Sequence, residues 1–208
     1  MDKNIFSVPN NTRTIDDFKA RLIQGGARPN LFEVEMAFPT EDIFPELGDT
    51  TFRMMIKGAQ LPASNIAEVI VPFRGRQLKV AGDRRFDPWT ITVINDTDFV
   101  IRNAFERWMN LINKHEDNAG LTDPATYQQD MYVRQLGRST VSGTNPVSAS
   151  QVPVLKQYRF YGAFPTLVSA IDLSYENTDS IEEFTVELQY QWYDAQDSTG
   201  STQLGTGV

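Results

Sequence analysis

Glu183-Phe184-Thr185-Val186-Glu187-Leu188-Gln189-Tyr190-Gln191-Trp192-Tyr193 alternates without a break. Phe184, Val186, Leu188, Tyr190 and Trp192 fall on one side, and Glu183, Thr185, Glu187, Gln189 and Gln191 on the other. A period of two is the spacing of a strand with one face in a core and one in solvent. The same period recurs upstream. In Leu31–Phe38, Phe32, Val34, Met36 and Phe38 oppose Leu31, Glu33, Glu35 and Ala37. In Trp89–Ile94, Trp89, Ile91 and Val93 oppose Thr90, Thr92 and Ile94. Further strands are expected at Phe52–Ile56, Glu68–Val71, Gln77–Val80, about Tyr127–Leu136, Lys156–Tyr161 and about Val168–Tyr175, with a turn at Ala81-Gly82-Asp83.

The period changes to helical in two places. After Asp96 or Thr97 as cap, Ile101, Phe105, Trp108 and Ile112 follow a 4-3-4 spacing, widened by Ala104, Met109 and Leu111. That predicts one long helix over about 98–114, packed on a sheet. Thr14 caps a shorter helix to about Ile23, with Asp16 and Asp17 in its first turn and Gly25-Gly26 ending it. The organisation expected is an N-terminal arm over 1–26, a single β domain over 27–193 and a flexible tail over 194–208. Loops fall at 39–50 and 137–153, the second rich in Gly, Ser, Thr, Asn and Pro. Strands in succession with one helix make the class mainly β, an antiparallel β-sandwich or barrel with one long flanking α-helix.

The chain has 208 residues, 40% of them hydrophobic, enough for a core of ordinary size. Its formal charge of −8 runs against nucleic-acid binding, which requires clustered Lys and Arg. It contains no cysteine, which removes disulfides, thiolate metal sites and thiol nucleophiles. No apolar run approaches the roughly 18 residues of a membrane span. Met1-Asp2-Lys3-Asn4 lacks the basic head and apolar stretch of a signal peptide, so synthesis in the cytoplasm without ordinary export is expected.

No catalytic set emerges. The single histidine, His115, lies at the polar end of the long helix, where a cation suits the terminus. There is no Gly-x-Ser-x-Gly elbow and no phosphate loop, and Asp16-Asp17 and Glu182-Glu183 lack calcium-loop spacing. The expectation is a protein without catalytic, metal or cofactor residues.

The stretch Phe73-Arg74-Gly75-Arg76-Gln77-Leu78-Lys79-Val80-Ala81-Gly82-Asp83-Arg84-Arg85 is unusually basic for an acidic chain. Two readings fit it. One is a solvated edge that resists sheet-to-sheet aggregation. The other is a cationic patch that meets acidic surface on a neighbouring copy, because an acidic protein with one basic strand-and-turn is electrically self-complementary.

Val80-Ala81-Gly82-Asp83-Arg84, then Phe86, Asp87, Trp89-Thr90 and Asn95-Asp96 opening a helix with Phe105 and Trp108, resemble the tail tube proteins of contractile-tailed bacteriophages. Ala27-Arg28-Pro29-Asn30-Leu31-Phe32, Leu61-Pro62, Arg134-Gln135, Gly162, Pro165-Thr166 and Glu183-Phe184 fall in the family's order, so the resemblance covers roughly 27–193. The 39–50 loop, the 137–153 loop and the 194–208 tail depart from shorter members.

The resemblance implies the tail tube fold, shared with type VI secretion inner-tube proteins. It implies homohexameric rings stacked into a hollow tube within a contractile sheath, built in the host cytoplasm and carried in the virion. The partners implied are further copies of the chain, the tail sheath protein, and baseplate and tail-terminator proteins. Genomic DNA would pass along the bore without specific binding, and no cofactor is implied. Six copies of −8 carry about −48, a bore that would repel phosphates. Glu33, Glu35, Glu183 and Glu187 are the expected acidic lining. Phe73, Arg74, Arg76, Lys79, Asp83 and Arg84 are the expected contacts between subunits or rings, on a 57–76 segment that resembles the family's extended loop; Asp83 with Arg84 also fits an intrasubunit turn lock. A baseplate tube initiator, a tube-end adaptor and a type VI-like secreted tube protein remain alternatives, with a carbohydrate-binding β-sandwich as the rival from another class.

Overall fold

The computed structural model describes residues 14–22, 26–39, 49–138, 152–176 and 178–197. Residues 40–48 and 139–151, within the two expected loops, and 198–208 of the expected tail lie outside the described residues, as do residues 1–13 of the arm.

The elements in chain order are α1 (Ile15–Arg21), β1 (Phe32–Met36), α2 (Asp49–Met55), β2 (Ile56–Ala59), β3 (Asn65–Phe73), β4 (Arg76–Arg85), β5 (Trp89–Ile94), α3 (Val100–Ile112), α4 (Pro124–Tyr127), β6 (Gln129–Leu136), β7 (Val154–Val168), β8 (Glu183–Gln189) and β9 (Trp192–Asp197). The main sheet runs β1-β6-β7-β8-β5-β2, with β9 on β7 and every pairing antiparallel. β3 and β4 pair only with each other, as a separate two-stranded hairpin.

One strand serves both halves of this sheet. The first half of β7 lies between β6 and β9, and its second half pairs with β8. Gly162 marks the change, at φ +60. A Cβ there would meet Gln128 Oε1 at 2.8 Å, which that flexible side chain can relieve, so it is the left-handed backbone conformation that selects glycine. Asp130 fastens the bend by accepting from Gly162 N at 3.2 Å and from Arg159 Nη2 at 2.6 Å.

The bend folds the sheet around one core. Trp89 of β5 stacks on Phe160 of β7 at 4.5 Å and donates its indole N–H to Gln60 O. α3 buries Ile101, Ala104, Phe105 and Trp108, the stripe that its spacing predicts. Trp108 donates to Tyr127 O at 2.8 Å. Phe38 closes the end of the core, edge-on to Phe52, Phe105 and Trp108 at 5.5–5.7 Å. Asp96 initiates α3 by accepting from the N–H groups of Asp98 and Val100, while Phe99 takes a left-handed φ of 54.

Several expected elements differ. Phe52–Ile56 is not a strand. Its first four residues end α2, where Phe52 and Met55, three apart, turn one helical face to the core, and Ile56 begins β2. Lys156–Tyr161 and Val168–Tyr175 are not two strands; β7 is one bent strand of 15 residues, with Gly162 bending it rather than ending it, and the chain beyond Val168 leaves the sheet. The 183–193 run breaks at Tyr190-Gln191, opposite the Gly162 bend, and the chain goes on pairing along the same edge of β7 as β9. The break shifts the alternation by one, so Tyr193 and Ala195 are buried and Trp192 is 48% exposed. The sheet also takes in Asp194–Asp197, which carry little apolar content because only Ala195 among them adds apolar surface to the core side. The Ala81-Gly82-Asp83 turn is absent: β4 runs through it with a bulge opposite Ala67. Finally, α4 precedes β6 at Pro124–Tyr127.

α1 is capped by Thr14, whose side chain accepts from Asp17 N while Asp17 reaches back, a capping box. It ends at Arg21, and its apolar residues Ile15, Phe18 and Leu22 are exposed.

Candidate assembly surface

The hairpin follows from its own sequence. Arg74 and Gly75 both have positive φ, 45 and 80, which gives a two-residue turn whose twist matches that of the flanking strands. Val69 pairs with Val80, Val71 with Leu78 and Phe73 with Arg76, so these six side chains share one face. Ile70 pairs with Lys79 and Pro72 with Gln77 on the opposite face, where Lys79 bridges to Glu68 at 2.8 Å.

The first face is apolar and uncovered. Phe73 is 65% exposed, and Val69, Val71, Leu78 and Val80 between 44% and 60%. Burying such a side chain is worth ~1.5–3 kcal/mol. An isolated two-stranded hairpin is marginal in water without a covering layer. A contiguous exposed patch of this kind marks an interaction surface.

The six expected contact residues therefore divide. Phe73 and Arg76 sit on the apolar face, with Arg74 at the turn and its guanidinium 5.3 Å from the Phe73 ring centre. Lys79 lies on the reverse face, in its pair with Glu68. Asp83 and Arg84 lie near the base, Asp83 in the bulge and Arg84 donating to Ser64 Oγ at 2.9 Å; Asn65 donates to Asp87 beside them. Val69, Val71, Leu78 and Val80 are not among the contact residues expected from the sequence. Their period-two spacing on either side of Arg74-Gly75 is the signal that locates them.

The four expected lining residues occupy two places. Glu33 and Glu35 of β1 stand together, between two arginines. Arg53 reaches Glu33 at 3.1 Å and Glu35 at 3.2 Å, while Arg134 reaches Glu33 at 3.5 Å and also pairs with Glu35. This cluster is balanced in charge. Arg159 continues it along the same sheet, 4.5 Å from the Tyr161 ring centre, and the hydrogen bond to Asp130 holds its guanidinium proton above the ordinary range. Glu183 and Glu187 lie on β8, three strands away. Lys57 donates to Glu183 at 2.5 Å, and Glu187 is half-buried. His115 lines an open polar concavity of about 680 Å³ with Asn103, Glu106, Arg107 and Lys114. Among the described residues no group of three or more His, Asp or Glu is placed to hold a metal ion.

A family model described as phage tail tube protein matches residues 27–196. The match takes in the whole β body, the hairpin and α3. The chain belongs to the phage tail tube protein family. Its relatives include the tail tube protein gp19 of Enterobacteria phage T4, 30% identical over 181 residues, covering 86% of this chain and 99% of that protein. The tail tube protein of Serratia phage KSP90 is 28% identical, covering 85% and 94%. Among solved structures, the tube terminating cap of the anti-feeding prophage aligns with a TM-score of 0.54 at 16% identity, covering 83% of this chain and 91% of that one. The sheath/tube terminator of an extracellular contractile injection system aligns at 0.52 and 11%, covering 82% and 96%. These two likenesses show a shared fold. The tail tube protein is thus a bent antiparallel sheet with one long helix on its flank, and the hairpin face is an exposed apolar surface that projects from it.

Proposed function

We propose that this tail tube protein forms six-membered rings that stack head to tail into the hollow inner tube of a contractile tail. In this reading the rings stand within a sheath, between a baseplate and a terminator, and the genome travels along the bore. The tube is assembled in the host cytoplasm and carried in the virion, and its work is mechanical and needs no cofactor. The observation that carries the proposal is the uncovered apolar face of β3–β4, which gains a covering layer when a neighbouring copy packs on it. The hairpin, with Phe73, Arg74, Arg76, Lys79, Asp83 and Arg84, is the contact between subunits or rings. Its five apolar side chains supply the energy and its cations the register.

The lining of the bore remains with Glu33, Glu35, Glu183 and Glu187. Three of them are held in ion pairs, so the wall they form carries fixed, mostly compensated charge. A wall of this kind gives DNA phosphates no cationic surface to adhere to.

Negative-stain electron microscopy of the concentrated protein, with and without a baseplate extract, tests the proposal. Hollow tubes of stacked six-fold rings are expected. Isolated rings that never stack would make the chain a tube initiator or adaptor, and monomers even with the extract would overturn the reading.

A further inference from the structure

The hairpin face needs a receiving surface, and the charge distribution of the chain singles one out. Beyond Arg159 there is no Lys or Arg in the sequence, and from Asp172 to Asp197 every charged side chain is a carboxylate. In the middle of that acidic stretch the chain leaves the sheet after β7 and returns at β8. There it holds up Leu173, Tyr175 and Ile181, all strongly exposed. Ile171, Leu173 and Ile181 line a concavity of about 350 Å³ together with Asp172 and Glu182. Glu182 accepts from Asn95, whereas Asp172, Glu176 and Asp179 have no ion-pair partner among the described residues.

We infer that this acidic, apolar-floored segment between β7 and β8 receives the hairpin tip of a second copy. The inference rests on the reading of the hairpin as an intersubunit contact and adds the surface that it meets. Phe73 enters the concavity over Ile171, Leu173 and Ile181, and Arg74 and Arg76 meet Asp172 and Glu176 at its rim. The other occupants fit less well. Hairpin on hairpin would bring the Arg74 and Arg76 cations of the two copies together, a like-charge contact that costs free energy. The apolar stripe of α1 is flanked by Asp16, Asp17, Lys19 and Arg21, a balanced set with no preference for a carboxylate rim. The geometry also has the right symmetry. A contact between two different surfaces of one chain is head-to-tail, and such contacts close rings or extend filaments rather than stopping at a dimer.

Charge exchange tests this. All the residues changed are exposed, so each variant is expected to melt like the parent chain. Arg74→Glu/Arg76→Glu should lower the yield of sedimentable tube at least tenfold, and so should Asp172→Arg/Glu176→Arg. The chain carrying all four changes should recover to within about threefold of the parent. A fourfold variant no better than either double variant, or double variants that assemble normally, would overturn the inference. The cysteine-free chain allows a second measurement that keeps the native charges at the rim. Assembled Arg74→Cys/Ser174→Cys protein should oxidise to a ladder of covalent oligomers, because a disulfide needs Cα atoms within about 7 Å. Tubes that form yet stay unlinked would also overturn it. Failure of the underlying hairpin reading has a different signature: Val71→Asp/Leu78→Asp would then polymerise as well as the parent chain.

Discussion

β5 with β8 and β3 with β4 are built on the same plan and end in opposite places. In the first pair Trp89 faces Leu188, Ile91 faces Val186 and Val93 faces Phe184. In the second, Val69 faces Val80, Val71 faces Leu78 and Phe73 faces Arg76. Both are antiparallel ladders with apolar residues on one face. The six side chains of β5–β8 are essentially buried, beneath β7 and the aromatic core. The hairpin's are open to solvent, because its strands project from the main sheet and no other element among the described residues lies over them. Alternation alone therefore says that a face will be covered but not by what. One pair is covered within the chain, and the other, as we propose, is completed by assembly.

That contrast can be broken or sharpened by substitution, beginning with the core. Phe160→Ala removes the ring on which Trp89 stacks and should cost ~3–5 kcal/mol of folding stability, read as a lower urea midpoint at unchanged slope. Val71→Asp/Leu78→Asp removes two of the hairpin's apolar side chains, worth roughly 2–4 kcal/mol per contact on assembly. The monomer should melt as before while the concentration needed for tube formation rises at least tenfold. If both substitutions lowered stability equally, the two ladders would not differ in the way described. Arg134→Ala leaves Glu33 and Glu35 with Arg53 alone. These groups are partly solvated, so a loss of ~1 kcal/mol is expected, diminishing in high salt. The smallest effect concerns Tyr190, whose hydroxyl is pushed up to about 12 by burial, with Tyr193 and Asp87 adding to it. A raised folded-state value means stability that is complete below the ordinary tyrosine range near pH 10 and declines as pH rises towards 12. Tyr190→Phe should flatten that part of the stability curve.

Much of this was legible from the residues. Trp89–Ile94, Phe32–Met36, Phe184–Leu188 and the stripe on α3 have one period each, and the structure keeps it. What failed to show was set by distant contacts. Phe52 reads as strand in isolation and becomes helical because Phe38 and Phe105 receive it at the end of the core. Gly162 and Pro165 punctuate the sequence like a turn, yet β7 continues through them as it changes partners. Trp192 follows the alternation of β8 until the chain bends at Gln191; it then stacks on Tyr161 at 3.8 Å on the outer face. On the hairpin the cations are legible and the apolar face is not, because charge stands out in an acidic chain and a period-two apolar run looks like any other strand.

The central claim is that the β3–β4 face is open in the free subunit and buried against another copy in the tube. Thiol labelling of Leu78→Cys tests it directly, since the chain supplies no competing cysteine. The free subunit should label at the rate of an exposed thiol, and the assembled tube at least tenfold more slowly. Equal rates in subunit and tube would contradict it.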